Sequence, residues 1–377
     1  MTEQAIPIYQ GQDFYVPAFE VKVADRRIER DVVYDITQVS YKDTIKEIDS
    51  FEITINNWDA ETRDFKYSDR DLFNPGKKVE LWMGYFGDLR LMLTGQITSL
   101  KPSFPSGGQP TLGISGLNVL HQLRKKQESH SYQKLTDNQI ARQIQGRLGV
   151  EIMTEANAPG QKEEYRYLFQ DNQYDILFLM QRARAIGYDL TVVEDGDSAK
   201  LQARPSKLRF APSENIKRTI YELKYGISLI EFQPTLTTAN QVSKVTVRGW
   251  DNEKKKPISV TVGRNELETK GVGKAGNQQA IEQSFDQREE VIVNRPVNSQ
   301  QEAQTYARRR LEENAKELVT GSGAVVGLPD LRAGTVVYIS GVGQRFSGRY
   351  FVTSTTHTIG DGGYTTRFEC RREELKD

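Results

Sequence analysis

Hydrophobic and polar residues alternate with a period of two through much of the first third of the chain. Phe51, Ile53 and Ile55 are separated by single polar residues, a spacing that turns one set of side chains towards a buried face. Phe73–Gly76 (Phe-Asn-Pro-Gly) interrupts this pattern as a turn, because proline fixes φ and glycine allows positive φ. Short strands punctuated in this way predict a small antiparallel β-barrel or sandwich over residues 1–124.

The apolar period changes to that of a helix after this first domain. Ile140, Ile144 and Leu148 share one helix face. Thr136 begins a sequence that is typical of a capping box, and Gly149 has the position of a C-terminal cap. The pattern therefore predicts an amphipathic helix that ends at this glycine.

A second helix and several strand-like segments complete the middle of the chain. The helix is predicted over about residues 172–186 and is closed by Gly187. Strand-like segments occupy residues 165–169 and 189–193. Together these elements predict an α/β insertion module over residues 125–216.

The last third returns to strand-like alternation and contains one long helix. Val245 and Val247 are flanked by polar residues, which predicts a strand. A capped apolar stripe predicts a helix over residues 299–318, and the polar, glycine-bearing residues 264–277 are expected to form an exposed loop. We assign residues 217–377 to a second β-barrel domain with this long loop and this helix.

The two predicted β-domains share a short sequence pattern. Residues 75–81 and 93–99 resemble residues 333–339 and 346–354, and glycine stands at the strand entries of both pairs. Domain duplication and the ordinary recurrence of turn-then-strand patterns both explain this likeness. If the duplication is real, three copies of the chain present six similar units around one axis. The predicted fold class is mainly β with an α+β insertion, built from two small β-barrel domains and an α/β module.

Composition narrows the classes of function. The 377 residues include 51 basic and 51 acidic side chains, so the formal net charge is zero. A dedicated nucleic-acid binder usually carries a basic excess, because much of its affinity comes from neutralising phosphates. We therefore expect no specific nucleic-acid partner.

Cysteine content and hydropathy exclude further classes. Cys370 is the only cysteine, which rules out an intrachain disulfide and a thiolate metal cluster. The N-terminal sequence shows no signal-peptide pattern, and no run of about 18 apolar residues spans a membrane. We expect synthesis in the bacterial cytoplasm and no membrane anchor.

No motif in the sequence points to catalysis or to a cofactor. Gly271–Gly276 matches G-x-G-x-x-G but does not follow a strand, so we interpret it as a flexible loop. The three histidines have no partner at metal-ligand spacing and are read as structural or surface residues; they are His121, His130 and His357. We predict no catalytic, cofactor-binding or metal-binding residue.

We interpret the charged residues that stand out in the sequence as structural. Asp171 and Asp175 are interpreted as helix-start residues, where the helix dipole favours negative charge. A second group of carboxylates, Asp43, Asp49 and Asp59, lacks metal-loop spacing. Solvated ion pairs and a turn explain the basic runs Arg308–Arg310 and Lys254–Lys256.

Three stretches of the chain have the order of a known family. Residues 165–188 read as an aromatic strand, a polar cap and a helix ending in glycine, residues 245–251 (Val-Thr-Val-Arg-Gly-Trp-Asp) as a strand ending in Gly-Trp-Asp, and residues 328–357 as a closing β-domain. In these stretches the chain resembles the phage late control D family, which is related to trimeric hubs of contractile baseplates and to the N-terminal half of VgrG proteins. The resemblance extends from about residue 14 to residue 372.

The resemblance implies a structural hub. It implies a homotrimer whose two barrels per chain form a pseudo-hexameric ring, with the hexameric inner tube on one side and a spike on the other. The chain ends soon after the closing strand, so we expect the spike to be a separate chain. Other baseplate proteins are expected partners, in a virion or another extracellular contractile particle such as a tailocin or an injection system.

Two other classes of function compete with the hub. A baseplate-associated peptidoglycan hydrolase requires two placed carboxylates, which sequence alone does not pair. A free carbohydrate- or nucleic-acid-binding β-protein predicts a stable monomer with measurable ligand affinity. The hub remains the preferred hypothesis, because the predicted scaffold occupies most of the chain.

Overall fold

The computed structural model describes residues 16–124, 126–155, 164–212, 219–251, 254–267, 287–294, 297 and 299–372. The fold is mainly β, with two small β-barrels and an α/β module between them in sequence. Within the described residues, the main strands of both barrels join in one 13-stranded sheet, and two short strands of the first barrel form a separate two-stranded sheet. This architecture confirms the predicted fold class.

The first barrel forms where the period-two alternation predicts it. Its strands are β1 (Pro17–Val23), β2 (Arg26–Arg27), β3 (Ile36–Thr44), β4 (Ser50–Asn56), β5 (Trp58–Asp59), β6 (Asp64–Phe65), β7 (Lys78–Tyr85), β8 (Asp88–Ser103) and β9 (Thr111–Asn118). Its short helices are α1 (Arg30–Asp35) and α2 (Val119–Gln122). Phe51, Ile53 and Ile55 all point from β4 into the barrel core, as their spacing predicts.

The α/β module follows the first barrel. Its elements are β10 (Gln127–Tyr132), α3 (Asp137–Leu148), β11 (Ile152–Thr154), β12 (Leu168–Tyr174), α4 (Asp175–Ala185), β13 (Tyr188–Val193), β14 (Gly196–Asp197), β15 (Gln202–Ala203) and β16 (Lys207–Pro212). The capping box is confirmed: the Gln139 amide donates to Thr136 Oγ1, and the Thr136 amide donates to Gln139 Oε1 at 2.8 Å. Gly149 caps α3 with a φ of 70°.

One boundary in the module differs from the prediction. The sequence pattern places a strand at residues 165–169 and a helix start near residue 172, but β12 continues to Tyr174 and α4 begins at Asp175. The reason is non-local, because β12 pairs with β10 on both sides of Asp171 and Asn172. These two residues form a bulge opposite Ser129, where Asn172 has a φ of 43° and donates its amide to Ser129 Oγ at 3.1 Å. The strand therefore extends to Tyr174, although the sequence Asp171–Gln173 is typical of a helix cap.

The last part of the chain forms the second barrel and a separate layer. Its elements are β17 (Thr219–Lys224), β18 (Leu229–Leu236), β19 (Lys244–Asp251), β20 (Lys256–Gly263), β21 (Glu289–Ile292), α5 (Gln300–Lys316), β22 (Val319–Val326), β23 (Val336–Ser340), β24 (Gly348–Gly360) and β25 (Gly363–Arg372). Ser299 caps α5 by accepting from the Glu302 amide at 3.0 Å. The predicted exposed loop at residues 264–277 lies largely outside the described residues; residues 264–266 form a 3₁₀ turn.

Strands β19–β21 do not join the barrel. They form their own three-stranded sheet, and Val245 and Val247 pack on the apolar stripe of α5 in a separate core. The barrel core instead comes from β17, β18 and β22–β25. Alternation alone does not distinguish these two groups of strands, because both have one buried face.

The two barrels repeat one strand order. The first has the order β3-β4-β9-β8-β7-β1, and the second has the order β18-β22-β25-β24 followed by β23 and β17. Five strands of one barrel correspond to five of the other in chain order and in the strands with which they pair. The first strand of each barrel differs in its direction. β1 runs antiparallel to β7, whereas β17 runs parallel to β23.

Hydrogen bonds support duplication at the level of single residues. The Gly76 amide donates to the Ile97 carbonyl at 2.8 Å, and the Gly334 amide donates to the Val352 carbonyl at 2.8 Å. Both glycines have positive φ, 95° and 87°. The two accepting strands, β8 and β24, both carry a β-bulge immediately after the accepting residue, at Thr98 and Thr353 respectively.

A second pair of bulges extends the correspondence. The β3–β4 ladder skips Thr37, and the β18–β22 ladder skips Ile230. The sequence comparison therefore aligned the glycine turns correctly but misplaced a later position. It matched Gly95 with Gly348, whereas the ladders place Gly95 opposite Val79 and the corresponding Tyr350 opposite Val337.

A close glycine contact between the barrels gives a stability prediction. A methyl group on Gly327 would lie 2.0 Å from the ring of Tyr364, and the Gly327 carbonyl accepts from the Tyr85 hydroxyl at 2.9 Å. We expect Gly327→Ala to lower the free energy of unfolding by about 1–3 kcal/mol through overpacking. Gly362→Ala is the matched control, because nothing lies within 4 Å of its added methyl group. Equal denaturant midpoints for the two variants would contradict the prediction.

Candidate functional site

The candidate site is the seam at which the two barrels join. Strand β3 of the first barrel pairs antiparallel with β24 of the second, from Ser354 opposite Thr44 to Gly360 opposite Gln38. Ile359 from β24 packs into the first barrel's core, as does Tyr364 from β25. The seam therefore combines a continuous backbone ladder with a shared apolar core.

A buried polar group, here called the seam cluster, lies at this junction. Its members are the buried Tyr41, Asp43, Asp49, Thr355 and His357 and the partly buried Arg332. The Arg332 Nε donates to Asp43 Oδ2 at 2.9 Å, and its Nη2 donates to Tyr41 Oη at 2.5 Å. The guanidinium also lies 4.5 Å from the centre of the Tyr41 ring, close enough for a cation–π contact.

Arg332 and Asp43 also bind backbone groups from both barrels. The Arg332 Nη2 donates to the Met92 carbonyl of β8 at 2.7 Å. The other partners of the Asp43 carboxylate are the Ala333 amide at 3.1 Å and the Thr355 hydroxyl. One ion pair thus fixes β3 and β8 of the first barrel against β24 and the loop before β23 of the second.

His357 adds a neutral imidazole to the seam cluster. Burial lowers the pKa of His357 to about 3, so its ring is neutral at ordinary pH. Its Nε2 lies 3.0 Å from the Leu331 carbonyl, which requires the proton on Nε2. Its Nδ1 then accepts from the Tyr364 hydroxyl at 3.0 Å.

Asp49 is the most perturbed carboxyl group of the seam cluster. It accepts from the Thr44 amide at 3.2 Å and from Asn118 Nδ2 at 2.7 Å. Burial, together with the nearby Asp43 carboxylate, raises the pKa of Asp49 to about 8. Asp49 is therefore largely protonated at neutral pH, while Asp43 has Arg332 as its counter-ion.

The α/β module reaches the same region through Glu194. This carboxylate accepts from the Thr94 amide at 3.2 Å and from the Ser206 hydroxyl at 2.8 Å. Burial raises the pKa of Glu194. The seam region thus fixes three parts of the chain relative to one another through paired buried polar groups.

The other two histidines belong to other elements of the fold. His130 Nε2 lies 2.7 Å from Glu128 on the β10 strand, and His121 lies on α2. Within the part of the chain that the structure describes, no group of three or more His, Cys, Asp and Glu side chains could hold a metal ion. The motif Gly271–Gly276 lies outside the described residues.

The carboxylates Asp59, Asp171 and Asp175, which the sequence analysis considered, lie in different settings. Asp175 does begin a helix and binds Arg147 at 2.7 and 2.8 Å, but Asp171 lies exposed in β12, so its assignment to a helix start was wrong. Asp59 stabilises a turn by accepting from the Glu61 amide at 2.9 Å.

The two basic runs make ion pairs. Arg310 pairs with Glu290 at 2.9 Å and with Glu313 at 3.4 Å. Lys254 lies 3.9 Å from Asp251. Arg309 instead donates to the Ala185 carbonyl at 3.3 Å, which connects α5 to the end of α4.

An open cleft of about 940 Å³ lies between the module and the second barrel. Its walls come from α4, β13, β18, β22, β25 and the C-terminal half of α5. Arg371 and Asp189 face each other across the junction at 3.7 Å. No helix of the described residues is long and apolar enough to cross a membrane.

Sequence reasoning missed the seam cluster. Arg332 lies in the stretch that resembles the late control D closing domain, but it was not singled out, and Asp43 and Asp49 were considered only as metal ligands. The available signal was an arginine in the loop Leu328–Ala333, whose other residues are apolar apart from Asp330. Its partner lies 289 residues away, which local patterns do not reveal.

This two-barrel fold is shared with solved phage tail proteins. The chain belongs to the family described as the Alg8 N-terminal domain, whose model matches residues 15–361. That label differs from the late control D family that the motifs indicate. No curated protein matches the chain.

Solved structures share the fold at low sequence identity. The 43 kDa tail protein of prophage MuSo2 from Shewanella oneidensis is 15% identical, with a TM-score of 0.68 over 95% of this chain and 100% of that one. A tail protein from Neisseria meningitidis MC58 is 13% identical, with a TM-score of 0.64 over 95% and 97%. A type VI secretion component of E. coli is 12% identical, with a TM-score of 0.57 over 95% and 79%. At these identities the likeness establishes the fold.

Proposed function

We propose that the chain is a structural baseplate hub of a contractile tail or contractile injection system. It would act as a homotrimer that links a hexameric inner tube to a separate spike protein, and it would contact other baseplate proteins. The shared fold of tail and type VI secretion proteins supports this role. The late control D resemblance favours the same role.

The observation that carries the proposal is the duplicated barrel. Two barrels with the same strand order and the same bulges are fixed in one sheet by the seam. Three such chains present six similar units around a threefold axis. A ring of this kind matches a sixfold tube on one side and a threefold spike on the other, by shape and interface contacts alone.

The proposed role requires neither catalysis nor a cofactor. The charged residues of the seam cluster are paired with one another and with the backbone, which suits a rigid scaffold. We propose a location in a virion or another extracellular contractile particle, after synthesis in the bacterial cytoplasm.

Oligomeric mass tests the proposal directly. Light scattering behind size exclusion, over a hundredfold range of concentration, is expected to give three times the chain mass of 42.9 kDa. Electron microscopy of the same fraction is expected to show a six-lobed ring with a central opening. A monomer at every concentration, in the presence and absence of tube and spike proteins, would refute the hub.

A further inference from the structure

We propose that neighbouring copies of the chain join edge to edge, through β18 of one copy and the outer part of β8, Ser99–Ser103, of the next. This inference rests on the proposed trimer and specifies which surfaces form it. The register would repeat that of the internal seam between β24 and β3. The partner is therefore a second copy of this chain.

Barrel duplication identifies the two edges. Strand β24 continues beyond its bulge at Thr353 and there pairs with β3. Strand β8 continues in the same way beyond its bulge at Thr98, and this outer part pairs with β9 on one side. Among the described residues, no strand ladder occupies its other side.

Strand β18 is the counterpart of β3. Both strands carry a bulge, and each pairs with the strand that follows it in its own barrel: β3 pairs with β4, and β18 pairs with β22. The second edge of β3 is covered by β24. The second edge of β18 has no ladder among the described residues, apart from one isolated bridge between Tyr225 and Leu229.

The solvent exposure of the side chains also distinguishes the covered edge from the open one. His357 and Ile359 of β24 are 0% and 7% exposed within the internal seam. Their counterparts on the outer part of β8 and just after it are Pro102, which is exposed, and Phe104, which is 59% exposed. A large apolar side chain at an open strand edge is a feature that a partner would cover.

When the register of the internal seam is applied to the proposed contact between copies, the opposed residues are complementary. In the seam, Thr355, His357 and Ile359 lie opposite Asp43, Tyr41 and Val39 respectively. At the corresponding positions Leu100 would lie opposite Leu236, Pro102 opposite Pro234, and Phe104 opposite Phe232. All six of these residues are apolar, and they lie on one face of the combined sheet.

The opposite face of the same strands is polar. There Lys101 would lie opposite Thr235, and Ser103 opposite Gln233. A shift of one residue would place apolar side chains against this polar face, which specifies the register. The internal seam uses a buried ion pair where the proposed seam uses apolar contacts.

The two prolines restrict what the edges can bind. The Ile45 amide donates to the Thr353 carbonyl at 3.1 Å, so that alternate residues of β24, including His357, direct their backbone groups towards β3. Pro102 and Pro234 occupy the corresponding positions on the two edges, opposite each other in the proposed register, and neither has an N–H there. The loss of both donors weakens pairing with arbitrary strands, so side-chain packing must stabilise the specific contact.

The proposed contact has the symmetry that a ring requires. The edge of β8 and the edge of β18 are different surfaces, so the contact is heterologous and runs head to tail. Each contact between copies would repeat the step that relates the first barrel to the second within one chain. Three copies would then close with alternating internal and external seams.

Disulfide trapping tests the register. In a Cys370→Ala background the chain has no other cysteine, so Leu100→Cys with Leu236→Cys is expected to form intermolecular disulfides and a covalent trimer on non-reducing gels. Directly opposed residues with paired backbones lie about 5.5 Å apart at Cα, within the range that a disulfide spans. The matched control, Lys101→Cys with Leu236→Cys, is expected to cross-link at least tenfold less, because its side chains lie on opposite faces.

The outcomes separate this inference from the proposed function. A trimer by light scattering, with cross-linking no stronger than in the control, would overturn the edge pairing and leave the hub intact. A monomer at every concentration would overturn both. Phe104→Cys with Phe232→Cys is a second pair in the same register, and it replaces the first if Leu100→Cys prevents folding.

Discussion

Replacing Arg332 with methionine is expected to lower the free energy of unfolding by about 3–5 kcal/mol. Methionine fills a similar volume, but the Asp43 carboxylate, which lies 2.9 Å from Arg332 Nε, then remains buried without its counter-ion. The Tyr41 hydroxyl and the Met92 carbonyl also lose a donor. Chemical denaturation followed by circular dichroism would measure the loss.

A double substitution distinguishes loss of the ion pair from loss of packing. Arg332→Met with Asp43→Asn removes both charges, so it is expected to be less destabilising than the sum of the two single changes by at least about 1 kcal/mol. Arg332→Lys keeps the charge but cannot bind Asp43, Tyr41 and Met92 together, and we expect an intermediate loss. Simple additivity, or a loss below about 1 kcal/mol for Arg332→Met, would contradict the seam cluster's proposed role.

The core of the first barrel could be predicted from local sequence, whereas the seam could not. Alternation at Phe51–Ile55 identifies a buried strand face because period-two burial is a property of a single strand. The seam depends on the pairing of β3 with β24, whose residues lie more than 300 positions apart. No pattern within either strand indicates which partner covers its edge.

The duplication shows where sequence comparison succeeds and where it fails. The turn glycines Gly76 and Gly334 align correctly, because both require positive φ at the same point of the barrel. Gly95 and Gly348 do not correspond, since the hairpins between the paired strands differ in length. The positions of the bulges at Thr98 and Thr353, which the sequence does not reveal, give the correct alignment of the two barrels.

Helix ends were predicted where side chains cap them and misplaced where pairing overrides propensity. The box at Thr136 and the glycine at position 149 are local signals, and both are confirmed. Asp171 and its neighbours also favour a helix start, but the pairing of β12 with β10 on both sides of Asp171 and Asn172 keeps them in a strand bulge. Tertiary pairing thus decides between two local structures that the same residues favour.

Stability is expected to fall as pH rises from about 6.5 to 8.5, because of Asp49. In the folded chain burial, together with Asp43, raises the pKa of Asp49 to about 8, whereas in the unfolded chain it stays near 4. The folded state therefore binds more protons in this range, and its advantage decreases as Asp49 ionises. We expect a loss of about 2 kcal/mol, because each pKa unit corresponds to about 1.4 kcal/mol.

The pH range from 6.5 to 8.5 separates the titration of Asp49 from that of His357. Burial lowers the pKa of His357 to about 3, so this residue makes stability rise with pH only up to about 6.5, the ordinary value for histidine. Asp49→Asn cannot titrate, and its free energy of unfolding should change by less than about 0.5 kcal/mol between pH 6.5 and 8.5 relative to the background of other groups. Its absolute stability is expected to be lower at neutral pH, because the new amide places an N–H against a donor, either Asn118 Nδ2 or the Thr44 amide. Parallel pH profiles for the two chains across this window would show that Asp49 is already ionised in the folded seam, with Arg332 neutralising both carboxylates.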